Sequence, residues 1–575
     1  MLSLVDAEKR ANTESREELA AWQNEIKNNS YTNDPDFRHS VAFHLSDQLE
    51  RLDKELEAFA HTVINHVEPL VAENNRPENY PKIVRYDGIG NWIEAIVHHP
   101  TYAASGNLIY GSRLLERMAK KGGLTEGLMF FFLSSQAGEA GHNCPIACSY
   151  GIIRVLQKIQ DFPSRDFYLE KLTAPSYESN YTGAQFITEI QGGSDIGSNA
   201  VEASIDEKGN WKVSGEKWFC SNAKADLILL TARYNPTIAG TKGLGLFLVP
   251  ALLNSGQRNR YTFRRLKDKL GTRSLATAEI DFHQAYAIPI ERPEMGFKIL
   301  MENVLHSSRI FNTVTVLGMA RRAYQIAHAY ANHRKSFGRP IIEYPLVKVN
   351  LANIKVENTA LLASIFATVK LQDKFDLEDS KNDQTKLLLR LLANLNKYLS
   401  ALWTVEHIHH CLDVLAGNGT IETFSSIPLL LRDSIICENW EGTHNVLLMQ
   451  ILRDILRYGI DDIFLNYLHS LFHEIATSNP YRSILQQRCE QLNLQLKELK
   501  KAPPDLQSLQ IKDCVDVMGI LFSAVHLLLE AIDQEAKGNP SKMKCLNYFI
   551  ILHIQKEIKN VDANLLAVIN TIINY

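Results

Sequence analysis

The sequence predicts an α+β protein of several domains: helical at the start, β-rich in the middle, helical again, with an extra helical domain at the C-terminus. Three observations carry this. At 575 residues the chain exceeds the roughly 250–300 residues at which single cores stop growing, so at least three domains are expected. Apolar residues recur at helical spacing from Ser46 to about Val155 and again from Gly296 to about Tyr458. Between about Tyr181 and Ile288 the texture changes to short β-branched runs separated by Gly, Asn and Asp.

Residues 1–180 form the first helical domain, with breaks at Pro77, Pro81 and the Lys120–Gly123 turn. Residues 181–288 form the β-domain, in which Leu227–Thr231 and Gly245–Val249 are short apolar runs bounded by turn formers. Residues 289–458 are rich in Leu, Ala, Ile and Val with few internal prolines, which predicts long helices. Residues 459–575 continue the helical pattern. Leu485, Leu492, Leu496 and Leu499 fall on one helix face before Lys500, Lys501 and the Pro503–Pro504 break, and a second amphipathic run extends from Ile511 to about Ala536.

An apolar content of 45% with 22% charged residues is too hydrophobic for a disordered chain. A net charge of -4 and a pI near 6.6 give no bulk attraction to nucleic acid or anionic membrane, and the C-terminal domain carries nearly equal acids and bases, so DNA is not supported by charge. The N-terminus has no basic segment followed by an apolar one, so no secretory leader is expected, and no uncharged apolar stretch approaches the roughly 18–20 residues of a membrane span. Eight scattered cysteines fit reduced thiols in a cytoplasmic setting.

Four segments carry chemistry. In Phe186–Asn199 (FITEIQGGSDIGSN) a strand end meets two glycines, which lets backbone approach a flat, polar-edged ligand. In Gly215–Asp226 (GEKWFCSNAKAD) the aromatic pair Trp218 and Phe219 precedes small polar residues, suited to one face of a planar ring. His333–Gly338 (HRKSFG) offers a guanidinium and a hydroxyl at a helix end, suited to a pyrophosphate. Leu415–Asn445 contains the glycine-rich turn Ala416–Gly419 and the tetrapeptide WEGT, in which a carboxylate beside Trp440 has its charged form disfavoured and its proton affinity raised.

In their order and spacing these segments resemble the acyl-CoA dehydrogenase family, over roughly Glu139 to Leu456. EAGHNCP (Glu139–Pro145), KLGTRS (Lys269–Ser274), WEGTHN (Trp440–Asn445) and the extra C-terminal domain resemble its AidB-type branch. The resemblance implies a helical N-domain, a central β-domain and a C-terminal four-helix bundle, with FAD as cofactor. It implies α,β-dehydrogenation of a fatty acyl-CoA, with electron-transfer flavoprotein or oxygen as electron acceptor. Glu441 is then the base, its backbone N–H helping to hold the thioester oxygen. Gln185, Thr188, Ser194, Trp218, Phe219, Cys220 and Ser221 would contact FAD, Ser221 at the N5 edge, with Thr443 and Asn445. Arg334, Ser336 and Phe337, helped by Gly417, would reach FAD in a neighbouring protomer of a homotetramer. Ser308 and Arg309, with Ser194, would contact the acyl-CoA. Asp413 stands where a Gln is usual, Ala416 replaces a Gly, and His306 replaces an acid.

The alternative implied by the same resemblance is a weakly catalytic flavoprotein that binds acyl-CoA or DNA in a protective or regulatory role. No metal site is expected: Glu406, His407, His409 and His410 crowd one helix, Cys144 and Cys148 have no second half nearby, and Gly243–Gly245 lacks the strand-turn-helix setting of a dinucleotide fingerprint.

Overall fold

The computed structural model describes residues 13–139, 141–378, 382–555 and 563–574. The chain divides into two units: one holds His66–Thr315 with Asn439–Val446, and the other holds the segments up to Asn65, Val316–Glu438 and Leu447 onward.

The first unit contains the sheet. Its strands are β3 (Gly183–Phe186), β4 (Glu202–Ile205), β5 (Trp211–Ser221), β6 (Leu227–Arg233), β7 (Leu244–Pro250), β8 (Tyr261–Leu266) and β9 (Thr277–Pro289). They pair in the order β3-β6-β4-β5-β9-β7, with β8 on β9, and β7 also pairs β6 from Leu227↔Pro250 to Arg233↔Leu244, so the sheet closes on itself. The parallel β3–β6 pair sets Gln185 opposite Leu229. Strand β7 is buried at every position, which is why LGLFLVP reads as a continuous apolar run rather than an alternating one. Phe186, Ile228, Leu230, Phe247, Val249, Ile280 and Phe282 fill the interior.

One departure from the sequence reading lies in the N-terminal helical stretch, where β1 (Lys82–Tyr86) and β2 (Trp92–Val97) form an antiparallel hairpin. Its apolar residues fall on both faces, which hides the strand period; the readable signal is the turn. Asp87 Oδ1 accepts the backbone N–H groups of Ile89 and Asn91, and Gly90 takes φ +87°.

The second unit is helical. Pro504–Ala536 packs against Pro345–Leu377 and Asp383–Val414: Tyr398 donates to Asp516 at 2.8 Å and Ser523 to Ser364 at 3.2 Å. The helix Pro480–Lys501 buries Leu485, Leu492, Leu496 and Leu499, the face read from the sequence. No uncharged apolar stretch reaches span length, as expected, but the helix Pro504–Ala536, charges included, is by length and composition alone long and apolar enough to cross a membrane. Its most apolar window has mean hydropathy 1.9 and is 72% buried inside the fold, as befits a core helix. Asp513, Asp516 and Glu530 punctuate the run in the sequence.

Candidate active site

Most of the sequence-predicted residues lie in the sheet-bearing unit. The WEGT segment leaves the helix Ile427–Asn439 and turns sharply, with Glu441 at φ +57° and Gly442 at φ +106°. A residue with a β-carbon holds such a conformation only when its surroundings impose it. Two side chains one turn apart on the helix His306–His333 do so. Arg309 Nε donates to the Glu441 carbonyl at 3.0 Å, and Trp440 Nε1 donates to Asn312 Oδ1 at 2.5 Å. Next to Arg309, Ser308 donates to Gln185 Oε1 at 3.3 Å, tying this helix to β3. Glu441, Arg309, Ser308 and Gln185 therefore form one connected set.

Beyond β3 the chain runs through Thr188, whose carbonyl accepts the Trp218 N–H at 3.0 Å. The turn that follows depends on Gly193: a β-carbon there would stand 2.7 Å from Thr188 Oγ1. Ser194 is exposed beside it. The loop is fastened by an ion pair absent from the sequence reading. Lys217 Nζ lies 2.7 Å from Glu189 Oε1, the two side chains 0% and 3% exposed. Glu189 also accepts the N–H groups of Ala200 (2.6 Å) and Val201 (3.2 Å). Burial lowers the Lys217 pKa, and Glu189 opposes that shift.

The register of β5 on β9 shifts between Lys217 and Cys220, a bulge that carries Trp218 and Phe219. Lys267 Nζ sits 3.5 Å from the centroid of the Trp218 ring and 4.7 Å from that of Phe219, and 2.8 Å from Glu279 Oε1. Phe219 is 49% exposed, so an aromatic face is on offer. Cys220 has its side chain 0% exposed within the sheet core, because the strand turns it inward after the bulge. Burial holds its thiol well above the usual range. Ser221 is half-buried, its hydroxyl 3.1 Å from Thr277 Oγ1, which also accepts from Lys269 at 2.9 Å. Thr443 and Asn445 are exposed at the start of the helix His444–Tyr458.

Glu139 accepts the N–H groups of Gly141 and Cys144, both at 2.8 Å, at the start of the helix Asn143–Lys158. The hydrogen bond to Cys148, burial, and the carboxylates of Glu139 and Glu441 hold the Cys144 thiol well above the usual range.

Arg334, Ser336, Phe337 and Gly417 belong to the helical unit. HRKSFG forms a hairpin, β10 (Lys335–Ser336) with β11 (Arg339–Pro340), whose tip Phe337 is 96% exposed at φ +52°. Arg334 is half-buried with Glu18 at 3.9 Å, and Lys335 lies 2.8 Å from Glu14. Gly417 is exposed, and Ala416 holds φ +52°, a conformation a glycine takes without strain. Asp413 is exposed. His407 is committed to Glu357 at 2.6 Å and Asn358 at 2.9 Å, and among the described residues no group of three or more His, Cys, Asp or Glu is placed to hold a metal.

Comparison with known proteins finds relatives over most of the chain. Residues 184–285 match the acyl-CoA dehydrogenase middle domain, residues 294–456 its C-terminal domain, and residues 23–179 the N-terminal domain of the adaptive response protein AidB. The chain is 29% identical over 427 residues to the putative acyl-CoA dehydrogenase AidB of Escherichia coli K12, covering 72% of this chain and 75% of that one. It is 30% identical over 380 residues to acyl-CoA dehydrogenase family member 11 of Caenorhabditis elegans, covering 64% of this chain and 60% of that one. The crystal structure of Caenorhabditis elegans ACDH-11 in complex with C11-CoA superposes with a TM-score of 0.81 at 24% identity, over 91% of this chain and 90% of that one.

The chain belongs to the acyl-CoA dehydrogenase family of FAD-dependent oxidoreductases. Within that family its N-terminal domain sets it with the AidB-type proteins. The residues fit the family's cofactor: a partly exposed aromatic pair on a bulge, a glycine cradle against Thr188, and the buried, unpartnered Gln185 Nε2.

Proposed function

We propose that this protein dehydrogenates a fatty acyl-CoA between Cα and Cβ, with Glu441 as the base. The observation that supports this is the strained Glu441 backbone, pinned through its own carbonyl by Arg309 and through Trp440 by Asn312. A carboxylate so restrained pays little entropy to reach an α-carbon, which favours proton abstraction over mere binding. The Glu441 N–H helps hold the thioester oxygen, so that the α-proton is acidified where the carboxylate waits. Bound FAD supplies the two-electron acceptor for the hydride leaving the β-carbon. Electron-transfer flavoprotein or oxygen takes the electrons onward, and the exposed Phe337 tip with Arg334 serves a neighbouring protomer in a homotetramer.

Glu441→Gln keeps volume and removes the basic lone pair. In anaerobic stopped flow with an acyl-CoA that bleaches the wild-type flavin, the variant should still hold FAD and acyl-CoA but reduce about 10²–10⁴-fold more slowly. Equal rates would show that Glu441 is not the base. Wild-type flavin that no acyl-CoA of any chain length reduces would favour the binding role instead.

A further inference from the structure

In the sheet-bearing unit, Lys269, Thr277 and Ser221 form a chain of three polar groups whose direction the geometry fixes. Strands β5 and β9 pair antiparallel with Ser221 directly opposite Thr277, which sets the two side chains on one face of the sheet. Their strand neighbours Cys220, Ala276 and Ala278 belong to the core, so the two hydroxyls leave the sheet on its other face. Ser221 Oγ lies 3.1 Å from Thr277 Oγ1. Lys269 Nζ lies 2.9 Å from the same Thr277 oxygen and 2.8 Å from the Leu275 carbonyl. Among the described residues neither hydroxyl has another partner.

An ammonium group can only donate, so Lys269 fills one lone pair of Thr277 Oγ1. Thr277 is 2% exposed, and its own O–H proton has one oxygen within reach, Ser221 Oγ. The reverse arrangement, with Ser221 donating to Thr277, would leave the Thr277 proton buried without an acceptor, which folded proteins seldom tolerate. The donated bonds therefore run from Lys269 to Thr277 and from Thr277 to Ser221. That uses Ser221 as an acceptor and leaves its O–H to point off the chain, from a side chain that is only half-buried. A hydroxyl at the end of a chain that begins on a cation is also the more strongly polarised as a donor.

We propose that Lys269 and Thr277 are positioning residues that commit the Ser221 hydroxyl to donate to FAD at N5, the atom that receives the hydride. The proposal rests on the reading that Ser221 meets the N5 edge. N5 of oxidised flavin is a ring nitrogen that accepts and cannot donate, so a serine whose proton pointed back at Thr277 would offer it nothing. The relay removes that alternative.

Resonance Raman of the full-length, FAD-loaded protein tests this through the C4a–N5 stretch of the oxidised flavin, identified with FAD carrying heavy nitrogen at N5. Ser221→Ala removes the donor and should shift the band. Lys269→Met lets Thr277 accept the Ser221 proton instead, so its band should move most of the way to the Ser221→Ala position. Thr277→Val should shift it in the same sense but less, because the serine keeps its proton and loses only its orientation. Thr277→Ser restores the hydroxyl and should restore the wild-type band, which a purely structural loss at this position would not do. The FAD dissociation constant should rise about tenfold in Ser221→Ala, the equivalent of one hydrogen bond. If Lys269→Met does not fold, the two Thr277 variants carry the test. No band shift in Ser221→Ala would overturn the N5 reading of Ser221 and the relay with it. A shift there, with the Lys269→Met and Thr277→Val bands unmoved or displaced the opposite way, would overturn the relay alone.

Discussion

At Glu441 the backbone takes a left-handed conformation that costs on the order of 1–3 kcal/mol for a residue with a β-carbon, and it is Asn312 and Arg309 that hold it there. The proposed base is legible in the sequence because WEGT sets a carboxylate between an indole and a glycine. Its support is not legible, since Asn312 looks like any polar residue on a helix and its partner lies 128 positions away. Asn312→Ala leaves the Trp440 N–H unpaired and should slow flavin reduction by about tenfold with FAD content unchanged, an effect of the size of one lost hydrogen bond. Rapid-mixing kinetics beside a flavin-to-protein absorbance ratio would check this; a normal rate would mean that Arg309 alone positions the base.

Among the elements, the Gly-Gly loop and β5 are coupled by Lys217 and Glu189. Strand alternation would send a lysine in GEKWF to solvent, so the sequence gives no warning that this one is fully buried. Only the closed sheet, with Ile187 and Thr231 on the same side, supplies the oxygens that its ammonium needs. Lys217→Met strands the Glu189 charge and should cost about 3–5 kcal/mol, whereas Lys217→Met with Glu189→Leu should recover much of it. Chemical denaturation of both variants measures the difference, and equal losses would show the backbone bonds to Glu189 to be the stronger tie. The bulge at Trp218–Phe219 was equally hidden, because two adjacent aromatics fit a regular strand as well as an irregular one. By contrast, the helical-to-β-to-helical texture was plain: a 28-residue helix such as His306–His333 repeats its period many times, while a hairpin such as β1–β2 shows two short strands and a turn.

The molecule as a whole carries buried histidines in both units. Burial lowers the pKa of His142 to about 4, a shift only partly opposed by its bond to the Tyr102 carbonyl, and burial lowers His98 and His526 to about 3. Each folded value lies below the unfolded value near 6.5, so the folded chain binds fewer protons; stability is complete above that pH and is lost as pH falls towards 4. For His142 the full shift amounts to roughly 3 kcal/mol. Glu357 adds to the trend: despite burial, its bonds to His407 and His553 lower it to about 2, so its contribution declines as pH falls from about 4.5 through 2. Melting temperatures should therefore drop steadily from pH 6.5 to 4, and less steeply in His142→Gln; a flat profile would contradict neutral burial of these rings.

The apolar helix Pro504–Ala536 has a consequence for how the chain is made. Its receiving surfaces, Pro345–Leu377 and Asp383–Val414, precede it in the sequence and leave the ribosome first. At about 5–20 residues per second, the gap between Val414 and Pro504 gives those two helices several seconds to settle before the segment most attractive to membranes and chaperones emerges. Gene order thus works as a safeguard during translation: the one described helix long and apolar enough to span a membrane is delivered to a berth already built. A permuted gene that encoded this helix first would send it into the cell unsheltered, with aggregation or misdirected insertion as the cost.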